Sequence, residues 1–231
     1  VVVVIHDADL MKMAREPLVV RETDYAILAQ ADIGREFHPD FTGERLARLS
    51  DFLEKASGRI KLMIELKYYG EDSELAQETI RLVNEAGMAE KVSFMSLEMS
   101  SVRQMQRLAA DIPVGYLSAV GLGRLTSLNV DFLALSTRDA KTALLRKADR
   151  KKIPVYVWTV NDIDTMLALI IFHQKCCNIH GCAVSFALFV RLPDLTIRRF
   201  KRCIQVFQNR FVSAVDVISK MKSAIEFGQD R

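Results

Sequence analysis

Leu62-Met63-Ile64-Glu65-Leu66-Lys67 is the stretch whose reading decides the fold. It is a short apolar run that ends with a carboxylate and an ammonium two positions apart. On a strand, alternate residues face the same way, so Glu65 and Lys67 share one face while Ile64 and Leu66 take the other. A buried parallel strand reads as continuously apolar, so two charges at its end need a reason. A strand fraying into a solvated loop is the plain one. The sharper one is a carboxylate that holds a cation beside a lysine that holds an anion, at the end of a barrel strand where active sites are built.

Working outward, apolar runs and helical patterns alternate on both sides of this stretch. A helical pattern runs from Glu44 through Leu46, Leu49, Phe52 and Leu53, and Gly58 stops it. Beyond the Leu62–Lys67 run, a helix is expected between Ser73 and Gly87, then a strand at Val92–Met95 and a helix through Val102, Met105 and Leu108. Further strands are read at Val114–Leu117, Phe132–Leu135 and Val155–Thr159, with helices around Leu144 and Met166. Such alternation means a parallel sheet with right-handed crossovers, as a doubly wound sheet or a closed barrel. Gly121-Leu122-Gly123 lacks the third glycine of a dinucleotide fingerprint and does not directly follow a strand. Polar residues instead gather at the ends of several strands: His6, Glu65, Lys67, Ser96, Ser136 and Asn161. Sites assembled from many strand ends are the habit of the (β/α)8 barrel, and the expected class is α/β with that TIM-type architecture.

Upstream, Val1–Ile5 is a β-branched run, expected as a strand, that delivers the His6-Asp7 pair to its end. From Asp9 to about Phe41, Pro17, Gly34, Pro39 and many charges break any period, so this is an irregular excursion of the kind that covers a site. His38 within it receives no role.

With 231 residues, half of them hydrophobic, the chain can bury a full core as one barrel-sized domain. Its 32 basic and 29 acidic residues leave a formal charge of only +3, which gives no argument for nucleic acid. Four cysteines, three of them between Cys176 and Cys182, do not resemble a disulfide framework. A reducing compartment follows, and Val1–Ile5 is too short to be a signal peptide. The chain opens in mid-strand without Met and is expected to be a piece of something longer, cytoplasmic or membrane-associated.

Five segments in order carry a family resemblance: Val3-Val4-Ile5-His6-Asp7-Ala8-Asp9-Leu10, Ile64-Glu65-Leu66-Lys67, Val92-Ser93-Phe94, Val114-Gly115-Tyr116-Leu117 and Val157-Trp158-Thr159-Val160-Asn161. Over residues 1–171 the chain resembles the glycerophosphodiester phosphodiesterase family. The resemblance implies a TIM-barrel hydrolase that cleaves glycerophosphodiesters to glycerol 3-phosphate and an alcohol. It also implies a divalent cation, Ca2+ or Mg2+, and histidines as general acid and base. By position, His6 matches a catalytic histidine, Glu65 a metal ligand and Lys67 the phosphate-contacting lysine. Phe94 and Trp158 match pocket-wall positions, with ordinary core packing as the competing reading.

Two departures from the family pattern set further expectations. The family carries His-Arg and Glu-x-Asp motifs on two strands ahead of the segment that His6-Asp7 matches, and nothing in this sequence corresponds to them there, so the barrel is expected to be incomplete. The alternative to an enzyme is then a catalytically incomplete barrel that binds a phosphorylated ligand or a partner without turnover. Self-association through an open barrel edge is expected. The second departure is a divergent segment at 172–190, within a barrel taken as 1–195 and followed by an amphipathic helical tail at 196–231. That segment holds His173, Cys176, Cys177, His180 and Cys182, the right types for zinc but at a spacing that fits no common zinc pattern. A buried cysteine-rich patch is preferred there. Membrane contact is expected only through the tail or through segments outside this chain.

Overall fold

A computed structural model of the chain describes residues 1–69, 74–119, 124–161, 164–166 and 168–169. The divergent segment at 172–190, its histidines and cysteines, the tail at 196–231 and the Gly121-Leu122-Gly123 stretch lie outside the described residues. The chain divides into two compact units, Val1–Ala134 and Leu135–Arg231.

In the first unit three strands run parallel: β1 (Leu62–Glu65), β2 (Val92–Ser96) and β3 (Val114–Ser118). Leu62 faces Val92 and Glu65 faces Met95, while Phe94 faces Val114. Three helices alternate with them: α3 (Leu49–Ala56), α4 (Leu75–Glu85) and α5 (Met99–Leu108). Each helix places its apolar residues on one stripe at helical spacing. Leu49, Leu53 and Ala56 are the buried residues of α3, and Ala76, Thr79, Ile80 and Val83 those of α4. Gly58 and Gly87, both at positive φ, turn the chain out of α3 and α4 as C-terminal glycines do.

The helix stripes bury against one face of the sheet. Val92, Phe94 and Val114 belong to the same core as Leu53, Val83, Val102 and Met105, with Leu62, Ile64 and Tyr116 packed around it. Strand alternation therefore sends Met63, Glu65, Ser93, Met95, Gly115 and Leu117 to the opposite face. On that face an ideal Cβ at Gly115 would fall 2.2 Å from Cε2 of Phe132, so only glycine admits the ring.

β4 (Phe132–Ser136) runs across the boundary of the two units and is buried at every position, as a parallel strand covered on both faces should be. In the second unit, α6 (Thr142–Arg150) leads to β5 (Val155–Trp158), and the Thr137 N–H donates to the Trp158 carbonyl at 2.9 Å. The strands and helices expected between Gly58 and Thr159 are present, with boundaries moved by a residue or two, while the helix expected around Met166 falls partly outside the described residues.

The segment before α3 departs from expectation. Val1–Ile5 is not a strand of the parallel sheet. It is extended, but its partner is the segment entering α3: Val3 forms an isolated antiparallel bridge with Arg48, and the Val4 N–H donates to the Ala47 carbonyl at 3.0 Å. The excursion after it is less irregular than its sequence suggests. It holds two short helices, α1 (Met11–Ala14) and α2 (Tyr25–Leu28), and a small core of Leu10, Leu28, Ala31 and Leu46. Asp32 organises its far end by accepting main-chain N–H groups from Gly34, Arg35 and Gly43 at 3.2, 3.1 and 2.9 Å. Among the described residues, no helix is long and apolar enough to cross a membrane.

Candidate active site

The candidate site begins where β1 ends. The Leu66 N–H donates to the Met95 carbonyl at 2.9 Å, which carries the ladder one residue past Glu65 and keeps Glu65 and Lys67 on one face. The Lys67 Nζ stands 3.9 Å from Glu65 Oε1, and both side chains keep about a fifth of their surface exposed. They are neither solvated nor sealed. Burial holds the Glu65 carboxyl above its ordinary range, and the positive charges of Lys67 and His6 oppose that only in part.

His6 lies in the turn that follows the extended Val1–Ile5 segment. Its Nδ1 is 2.6 Å from Asp7 Oδ1, and the ring is 76% exposed. This bond holds the Asp7 carboxyl below its usual range, helped by the charges of Lys12, His6 and Lys67. With Nδ1–H donated to the carboxylate, Nε2 is the nitrogen left for outside chemistry. Tyr69, two residues beyond Lys67, donates its hydroxyl to the His6 carbonyl at 2.6 Å. Burial raises the Tyr69 phenol, and the negative charges of Asp7 and Glu65 add to it. Glu65 thus lies within electrostatic reach of Lys67, His6 and Tyr69, and Asp7 within that of His6, Lys67 and Tyr69.

Phe94, Trp158 and Ser96 are each placed by their own strand. Phe94 is fully buried on the helix-facing side of β2, in the main core. Odd and even positions of β2 face opposite ways, and Phe94 shares its face with Val92. Trp158 ends β5 in the second unit, its Nε1 buried without a hydrogen-bond partner among the described residues. Ser96 serves the framework, donating to the Leu66 carbonyl at 3.0 Å and accepting from the Glu98 N–H at 3.2 Å. Sequence reading missed Tyr69, which has no periodic signal in a loop, and assigned no task to Asp7.

A hard divalent cation takes about six to eight oxygen ligands. Glu65 suits one of those positions, because a cation would relieve a half-buried carboxylate that Lys67 compensates incompletely. Among the described residues no three His, Cys, Asp or Glu side chains stand close enough to hold a metal ion together. The described part of the site therefore offers one cation ligand and not a complete shell.

Solved structures share this fold. The chain aligns with a glycerophosphodiester phosphodiesterase of Parabacteroides distasonis with a TM-score of 0.65 and 20% identity, covering 88% of this chain and 78% of the other. An Oleispira antarctica phosphodiesterase, solved in complex with the product sn-glycerol-3-phosphate, aligns with a TM-score of 0.63 and 21% identity over 80% of this chain and 74% of its own. These likenesses fix the architecture as the TIM-type barrel. In sequence the chain is 22% identical over 175 residues to YhdW of Bacillus subtilis, which is named as a glycerophosphodiester phosphodiesterase, across 73% of this chain and 72% of that one. Residues 1–176 match the pattern of the Glycerophosphoryl diester phosphodiesterase family, and the chain belongs to that family.

Proposed function

We propose that the chain hydrolyses glycerophosphodiesters to glycerol 3-phosphate and an alcohol. What supports this reading is the Glu65–Lys67 pair at the end of β1, within electrostatic reach of His6, in a chain of this family. The product complex of the Oleispira antarctica neighbour supports the substrate class.

A phosphodiester is a monoanion that gains charge on its non-bridging oxygens as water adds at phosphorus. The Lys67 ammonium, partly withdrawn from solvent, stabilises that charge more effectively than a solvated lysine would. The departing alkoxide takes a proton as its bond to phosphorus breaks; the His6 imidazolium gives it from Nε2, and a proton released by the attacking water restores the ring. Asp7, accepting the Nδ1–H, holds the ring's tautomer and leaves Nε2 facing outward. Glu65 is the residue that would ligate a divalent cation. When bound, such a cation would neutralise phosphate charge and orient the diester.

The test is the release of glycerol 3-phosphate from glycerophosphodiesters with and without a chelator. His6→Ala, Glu65→Ala and Lys67→Ala are each expected to lower kcat/KM by about 10²- to 10⁴-fold. Unchanged turnover in Glu65→Ala and Lys67→Ala would remove the site. The incomplete cation shell among the described residues favours a second reading, a phosphate-binding barrel without turnover. Saturable binding of glycerol 3-phosphate that Lys67→Ala abolishes, with no product release from diesters, would select it.

A further inference from the structure

We infer that Tyr69 is a positioning residue for the His6 imidazole, a latch between the loop that leaves β1 and the His6–Asp7 turn. The inference rests on the hydrolase reading above and deepens it.

Tyr69 is 48% exposed, so core packing does not account for it. Both of its polar main features are committed instead. The phenol donates to the His6 carbonyl at 2.6 Å, and the Tyr69 carbonyl accepts from Arg21 Nη1 at 3.1 Å. The latch therefore joins three segments distant in sequence: the turn at His6, the 3-10 turn at Val20–Glu22 and the loop that follows Lys67.

The His6 turn needs such a tie. Its main chain is anchored before it by the Val4 N–H to the Ala47 carbonyl at 3.0 Å, and after it by the Val20 N–H to the Ala8 carbonyl at 2.9 Å. Between those anchors, among the described residues, the Tyr69 hydroxyl is what holds the backbone that bears the ring. His6 itself is exposed, and its Nδ1 bond to the adjacent Asp7 moves with the same turn, so it cannot fix the ring relative to Glu65 and Lys67. Tyr69 can, because it leaves the same strand end that carries those two residues. A displacement of about 1 Å at a reacting group can cost about 100-fold in rate.

The experiment compares the wild-type chain with Tyr69→Phe, which removes one oxygen and keeps the ring. Expected are a melting temperature unchanged, a kcat lowered about 10- to 100-fold and a KM within about twofold. His6→Ala and the double variant Tyr69→Phe/His6→Ala complete the cycle. If Tyr69 acts through His6, the double variant is no slower than His6→Ala. A further loss of the same size in the double variant would overturn the inference, as would full activity in Tyr69→Phe. A second readout needs no turnover. The 15N shifts of the His6 ring should move in Tyr69→Phe as the ring changes place against the charges of Glu65 and Lys67, while those of His38 stay fixed. Unmoved His6 shifts would overturn the latch. A wild-type chain that released no product would overturn the hydrolase reading, and the ring shifts would then decide the latch alone.

Discussion

Burial holds the Glu65 carboxyl above its ordinary range even with the Lys67 ammonium 3.9 Å away. The folded chain thus binds a proton on Glu65 more tightly than the unfolded chain does. Its contribution to stability is fully present below the unfolded value of about 4.3 and is lost as pH rises through the raised folded value. Glu65→Gln removes the ionisable group and keeps the shape. It should therefore melt at a higher temperature than wild type at pH 8, with the difference vanishing near pH 4. Thermal melts at the two pH values check this, and a Gln variant less stable at pH 8 would mean that Lys67 compensates the charge fully. Asp7 works in the opposite direction: its lowered carboxyl stabilises above about 3.9, and that contribution fades as pH falls through the folded value. The pairing of Glu65 with Lys67 was legible in the sequence, since a strand period of two suffices to place both on one face. Tyr69 was not, because its partners lie 48 and 63 residues away and no local pattern encodes them.

At the scale of elements, the strands that read correctly are those whose apolar runs are covered by helices in the same stretch of chain. Period and length then decide the element, as for α4, β2 and α5. Val1–Ile5 misled for a physical reason. Its β-branched residues specify an extended backbone but not a partner, and the partner is the antiparallel segment before α3. The small core under Leu10 and Leu28 was hidden as well, because helices of four residues are too short to show a period. Gly115 shows an element whose packing can be tested directly. An added Cβ would meet three atoms of the buried Phe132 ring at 2.2 to 2.5 Å, and the ring cannot swing into solvent. Gly115→Ala should destabilise the fold by about 1–3 kcal/mol. Denaturant unfolding measures it, and Gly115→Ala/Phe132→Leu should recover part of the loss if the clash is the cause.

For the whole molecule, the order β1-β2-β3 in the first unit leaves β1 with a neighbour on one side only among the described residues. The consequence is visible in its burial: all four positions of β1 are partly exposed, whereas β2 and β3 each bury most of theirs. Because the Leu66 N–H faces β2, alternation turns the Met63 and Glu65 N–H groups toward the open side. Unpaired groups along an apolar edge invite pairing with a second chain. Leu62, Met63 and Ile64 carry no charge or proline, so within β1 only Glu65 discourages it. The chain should therefore self-associate as its concentration rises. Light scattering over a tenfold or greater concentration range measures this, and a constant monomer mass across the range would refute it. Met63→Pro offers the sharper arm. Proline removes one outward donor and no bond to β2, so it should shift the chain toward monomer while thermal melts confirm that the fold persists. Association unchanged in a folded Met63→Pro chain would place the contact on another surface.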